Sequence, residues 1–156
     1  PLVVTVPEFQ VLEAAGRNGA SVNTQALILY HLRTTNGAPL TGRWISFREL
    51  PSGGFYHQAF QGYTGHEIAK RVGDQLPSLA RAARALGGEP ADVGDAAYCF
   101  QALPRVPLLL VYWLGDEDFG PTARILFDAS AGHHLPTDAC ALLGSTLTHS
   151  LLRAVG

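Results

Sequence analysis

The sequence predicts an α+β domain: an antiparallel sheet of about five strands with helices packed mainly on one face. Three observations carry that reading. Apolar residues at helical spacing run from Ile68 to Leu86 and again from Leu142 to Leu152. Three strand-like runs follow one another between residues 98 and 128, and the turns joining them are too short to hold a crossover helix, so they pair as an antiparallel meander. The chain has 156 residues, 47% of them hydrophobic, which suits one domain (residues 1–156) with one core.

Taken in order, residues 1–14 alternate weakly and read as a short hairpin, with Val3–Val6 and Phe9–Leu12 on either side of Pro7-Glu8. Asn23 is placed to cap a helix through Ala26, Leu27, Leu29, Tyr30 and Leu32. Asn36-Gly37 ends that helix, with Pro39 beyond. Residues 40–64 are rich in aromatics and glycines. There Trp44–Phe47 reads as a brief strand and residues 48–54 as a turn, and the rings of Phe55, Tyr56, Phe60 and Tyr63 then need a surface to bury against. From Gly65 to Gly88 the residues Ile68, Val72, Leu76, Leu79, Ala83 and Leu86 form one apolar helical face. Pro77 interrupts it and predicts a kink, or two helices meeting near Gly73-Asp74. The strands of the meander are Tyr98–Leu103, Val106–Leu114 and Arg124–Asp128. Thr137 or Asp138 caps the final helix, whose apolar face is Leu142, Leu143, Leu147, Leu151 and Leu152.

Composition removes several functional classes. The net charge is −2, and the arginines are scattered without a basic stripe, which disfavours nucleic-acid binding. No apolar run approaches the roughly 18 residues of a membrane span, and the start of the chain has no signal-peptide pattern. The expectation is a cytoplasmic protein. Charged residues make up only 15% of the chain. Either a partner subunit or a ligand covers part of the surface, or the surface is neutral and rich in Gly, Ala and Thr. Cys99 and Cys140 lie outside any Cys-x-x-Cys pattern and read as small buried hydrophobes.

Candidate site residues fall in four places. Gly115-Asp116-Glu117-Asp118-Phe119 is the most acidic spot, yet Asp116 and Glu117 lack the ligand spacing of a calcium loop and read first as a solvated hairpin tip. His133-His134 precedes the last helix, near Asp128, without the spacing of a metal motif, so no metal site is assigned. His31 lies near the end of the first helix, where the macrodipole favours an imidazolium, and it could equally face the aromatic segment. Arg48-Glu49, beside Trp44 and Phe47, reads as a structural ion pair, or else Arg48 receives a carboxylate or phosphate. Tyr56 completes the set. No nucleophile elbow, phosphate loop or dinucleotide fingerprint is present in the sequence.

Three blocks in order carry a family resemblance: Tyr30-His31-Leu32, the run from Gly42 to Tyr56, and Gly115–Phe119 leading to Ile125–Ser130, with His134-Leu135-Pro136-Thr137-Asp138 after them. Over roughly residues 20–145 the chain resembles the uncharacterised family called domain of unknown function 3786. The resemblance implies a protein of bacteria and archaea, largely anaerobes, with relatives fused to iron–sulfur modules or encoded near corrinoid and one-carbon enzymes. It brings no catalytic residue with it. The chain departs from the family in having no cluster-binding cysteines and in lacking an N-terminal helical stretch typical of it.

The functional expectation is a non-catalytic binding or accessory domain. Its ligand, a small molecule or a protein partner, would contact a pocket walled by residues 44–60 and the Asp116–Asp118 turn. A small enzyme is the second reading, with His31 or His134 as acid/base and Asp116 or Asp128 as orienting carboxylate. A structural subunit of a homo-oligomer is the third. The sequence identifies no cofactor.

Overall fold

Val106–Trp113 is the central strand of the sheet and is buried along almost all of its length. Its side chains alternate between two faces, as a strand requires. Leu108, Leu110 and Tyr112 enter the main core, while Leu109 and Val111 join a smaller cluster on the opposite face. The computed structural model describes residues 2–4, 11–13 and 20–156.

In chain order the strands are β1 Leu2–Val4, β2 Val11–Glu13, β3 Trp44–Ser46, β4 Glu89–Ala91, β5 Ala96–Leu103, β6 Val106–Trp113 and β7 Thr122–Asp128. The helices are α1 Val22–Thr34, α2 His57–Gln61, α3 Glu67–Val72, α4 Leu76–Ala85 and α5 Thr137–Val155. Strands β1 and β2 pair with each other. This is the hairpin expected at the start of the chain, and the residues between those two strands lie outside the described ones. The remaining strands form one antiparallel sheet in the order β3-β7-β6-β5-β4. The α+β architecture with a five-stranded antiparallel sheet is therefore as the sequence predicts.

The main core lies between the sheet and the helices. Tyr98, Phe100, Leu108, Leu110, Ile125 and Phe127 from the strands meet Ile68, Val72, Leu79, Leu143 and Leu151 from the helices. Tyr112 is fully buried, and its hydroxyl donates to the Gly73 carbonyl at 2.7 Å, so its polar tip is satisfied where α3 ends. On the opposite face Ala97, Leu109 and Val111 are buried, with Trp44, Cys99, Trp113 and Leu126 packed around them. Cys99 and Cys140 are both free, and Cys140 is buried as expected.

Two helix caps are corrected, and two stretches gain elements that the sequence did not show. Ser21, not Asn23, caps α1, because its Oγ accepts the Thr24 N–H at 3.2 Å. Of the two alternatives, two helices meeting near Gly73-Asp74 is the one found, α3 ending at Val72 and α4 starting at Leu76, rather than a kink at Pro77. Pro77 sits in the first turn of α4, where its missing N–H costs nothing, and Gly73 at φ +53° separates α3 from α4. Residues 57–64, to which the sequence assigns no regular element, are helical and continue into the helix expected from Gly65: α2 runs into a π-helical turn, Gly62–His66, which leads directly into α3. The strand β4, where the sequence reading placed no element, holds Pro90; it is an edge strand, where a proline is tolerated. Neither Thr137 nor Asp138 caps α5. Pro136 holds the cap position, and the Thr137 hydroxyl instead donates to the Pro51 carbonyl at 2.6 Å.

Candidate functional site

The segment 44–63 is built to hold a wall of aromatic rings. Glu49 accepts the Ser46 N–H at 2.8 Å and the Ser46 hydroxyl at 2.9 Å, fixing the 3-10 turn Phe47–Glu49. Ser52 adopts φ +61°, and a Cβ on the next residue, Gly53, would stand 2.0 Å from the Phe47 carbonyl oxygen. Only glycine allows this fold-back. The result stacks Phe47 on Phe60, with ring centroids 4.3 Å apart and planes 13° from parallel. Tyr63 meets Phe60 edge-on at 5.7 Å, and Tyr56 lies 6.4 Å from Phe47 and 6.2 Å from Tyr63.

Helix α5 faces this wall. Gly144 carries no side chain, so the Phe60 ring can lie against the helix backbone; a Cβ there would be 2.7 Å from the ring. Between the two elements opens a cleft of about 720 Å³, lined by Phe47, Tyr56 and Tyr63 on one side and Asp138, Ala141, Leu142, Ser145 and His149 on the other. These last five recur at helical spacing on one face of α5. The size lies within the range of small-molecule sites. The polar groups sit among apolar ones: burial, with Tyr56 beside it, pushes the Tyr63 phenol up to about 12. The His149 Nδ1–H donates to the Ser145 carbonyl at 2.8 Å, which leaves Nε2 to accept a hydrogen bond.

Of the residues singled out in the sequence, Tyr56 lines this cleft and the others do not. Trp44 belongs to the cluster on the opposite face of the sheet. Arg48 and Glu49 do not form the expected ion pair. Glu49 is taken up by Ser46, whose hydrogen bonds, the backbone one first, hold its carboxyl below the usual range, and it faces a groove with Arg43 and His133. Arg48 faces a separate cleft beside His57 and Arg124. Asp116 and Glu117 are exposed at the β6–β7 turn, and the Asp116 carboxylate accepts the N–H groups of Phe119 at 2.8 Å and Asp118 at 2.9 Å. Those bonds, that to Phe119 first, keep its carboxyl below the usual range. The cleft at the aromatic segment takes its facing wall from α5 and not from the Asp116–Asp118 turn. Among the described residues no cluster of three or more His, Cys, Asp or Glu could hold a metal ion.

His31, His134 and Asp128 do gather at one end of the fold. Asp128 is 2% exposed and accepts hydrogen bonds from the N–H and hydroxyl of Thr41, the N–H of Gly42, and the N–H and hydroxyl of Ser130, all between 2.7 and 3.0 Å. Burial alone would raise its carboxyl; the bonds from Ser130 and Thr41 outweigh that and hold it well below the usual range. His134 is fully buried, with Nε2–H donating to the Ala38 carbonyl at 3.1 Å, so Nδ1 is the acceptor for the Thr35 hydroxyl. Both imidazole nitrogens of His134 are thus engaged within the fold, as is Oδ1 of Asp128, which accepts four of the five bonds, while Oδ2 accepts only the Gly42 N–H. His31 is also buried, with its ring centroid 6.1 Å from that of His134, and its Nδ1 has no hydrogen-bond partner. Burial and the neighbouring His134 lower its pKa, so it is no cationic partner of the α1 dipole.

The sequence reading missed Tyr63, Asp138, Ser145 and His149. The available signal was the second stripe of α5, which is polar and small and lies beside the leucine face; Leu142, assigned there to the core, packs against it and also lines the cleft. No helix among the described residues is long and apolar enough to cross a membrane. No curated protein and no solved structure matches the chain. A family model described as domain of unknown function (DUF3786) matches residues 2–150, nearly the whole chain, and the protein belongs to that family.

Proposed function

We propose that the protein is a binding domain whose ligand is a flat, largely apolar small molecule held between the aromatic wall of residues 47–63 and the 138–149 face of α5. The cleft itself carries this reading. Its volume of about 720 Å³ and its ring-lined wall suit stacking, and Asp138, Ser145 and His149 supply a few polar groups to orient what is bound. Such a domain serves as an accessory to other enzymes; the family context implied by the resemblance points to those handling corrinoids, one-carbon units or iron–sulfur clusters, in the cytoplasm.

Indole, titrated against the protein and followed by NMR, tests the cleft. Saturable shifts of the Tyr56 and Tyr63 ring signals are expected. They should vanish in Leu142→Trp, which fills the space, while the thermal midpoint stays near that of the parent. Absent or unsaturable shifts, or shifts that survive the filling substitution, would overturn the proposal.

A further inference from the structure

The strand β3 is short, and past its end part of β7 has no strand neighbour on that side among the described residues. Ser46, the last residue of β3, stands opposite Leu126, so residues 122–125 of β7 extend beyond the pairing. The Ala123 carbonyl at this edge is taken by Gln61 Nε2 at 2.7 Å, and at the other end of the same edge the Ala129 N–H bonds the Arg43 carbonyl at 2.8 Å. Main-chain groups alternate along a strand, so Ile125, two residues on from Ala123, turns its N–H and C=O to this edge as well.

A cleft of about 510 Å³ opens there. Four basic residues from four different elements line it: Arg48 from the 3-10 turn, His57 from the start of α2, His66 from the end of the π-helical turn, and Arg124 from β7. No Asp or Glu is among its lining residues, in a chain where Asp and Glu (13) outnumber Lys and Arg (11). Composition alone does not produce that. Arg124 lies over the Trp113 ring, 6.0 Å from its centroid, which steadies the guanidinium without using its N–H donors. His57 is oriented by its Nδ1–H, which donates to the Gly54 carbonyl at 2.8 Å.

We propose that this cleft binds the oxyanion group of a small metabolite, a phosphate or a carboxylate, between the forked donors of Arg48 and Arg124. Arginine suits such groups because its planar N–H pairs match their oxygens two at a time. The cleft is larger than a lone anion needs, so the oxyanion is one end of a larger molecule. A nucleic acid is not the ligand, because the basic groups converge in one recess and form no stripe along which a phosphate chain could run. The site is independent of the aromatic cleft proposed above.

Isothermal titration at low ionic strength, with inorganic phosphate and with malonate as probes, tests this on the whole chain. Saturable binding of at least one probe is expected, weakened at least tenfold by Arg48→Gln and by Arg124→Gln. The control Arg84→Gln, an exposed arginine near the end of α4, should leave it within twofold. Binding of phosphate alone would identify a phosphoryl ligand and binding of malonate alone a carboxylate; either supports the site. In the parent protein the bound probe should also shift the imidazole NMR signals of His57 and His66, a readout that needs no variant to fold. Absence of saturable binding by both probes would overturn the proposal. So would equal weakening by Arg84→Gln, or His57 and His66 signals that do not move at saturation.

Discussion

The Thr35 hydroxyl donates to Nδ1 of His134 at 2.8 Å, across 99 positions of chain. With Nε2–H committed to the Ala38 carbonyl, this fixes one neutral tautomer of a fully buried imidazole and ties the end of α1 to the turn before α5. A proton added to Nδ1 would turn the group that accepts the Thr35 hydroxyl into a second donor.

Stability should therefore fall in mild acid. His31 and His134 both have pKa values below the ordinary 6.5, through burial first. The unfolded chain then binds more protons than the folded one below that pH, so unfolding free energy rises with pH in this window. The stabilising effect is complete above about pH 6.5 and is lost as pH falls beneath it. A thermal midpoint that declines from pH 7 to pH 5, with a shallower decline in His31→Gln, is the expected result of a calorimetric series.

Asp128→Asn should destabilise the protein by about 3 kcal/mol, since an amide cannot accept all five hydrogen bonds and turns a donor toward one of the donors now satisfied. Urea denaturation followed by circular dichroism measures it. A loss below about 1 kcal/mol would mean that the carboxylate contributes little to the fold.

Gly65→Ala tests the π-helical turn. A Cβ at Gly65 would lie 2.1 Å from the Ala123 carbonyl oxygen and 2.2 Å from Gln61 Nε2. The backbone of β7 cannot yield easily, so a loss of about 2 kcal/mol or more is expected, against a gain if the site were an ordinary helix interior. Gly62→Ala is the natural comparison, because a Cβ there meets nothing within 4 Å.

The two thiols should separate by reactivity. Burial, with Asp138 adding to it, pushes the Cys140 thiol up to about 12, while Cys99 is half-buried and raised by burial as well. Iodoacetamide at pH 8 should leave Cys140 unmodified in the folded protein and alkylate it once urea unfolds the chain, as peptide mass mapping would show.

Local patterns made much of the fold legible. The β5–β7 meander and helices α4 and α5 announce themselves through periodicity and short turns, signals that depend only on neighbours in sequence. What escaped depended on distant partners. Gly62 and Gly65 resemble helix breakers, and the reason for Gly65 is the Ala123 carbonyl of β7 pressed against it. Thr137 looks like a helix cap until Pro51 is found to accept its hydroxyl. The candidate cleft was half legible for the same reason: Tyr56 stood out, but the facing wall comes from α5, remote in sequence. His31, Asp128 and His134 stand out singly in the sequence, which does not place them together; only the fold brings the two imidazoles near each other and shows the hydrogen bonds that His134 and Asp128 make within it.

The Asp128 clasp also bears on the order in which the chain folds. The hairpins β5–β6 and β6–β7 close short loops, whereas the Thr41 and Gly42 donors must reach Asp128 across 87 and 86 positions. Closing so long a loop carries an entropic penalty that nearby contacts must first offset. The clasp is thus expected to form late, locking the β3 end of an already assembled sheet. Its loss should appear in kinetics as faster unfolding with a nearly unchanged folding rate, making this carboxylate a determinant of how long the native state lasts rather than how quickly it is reached.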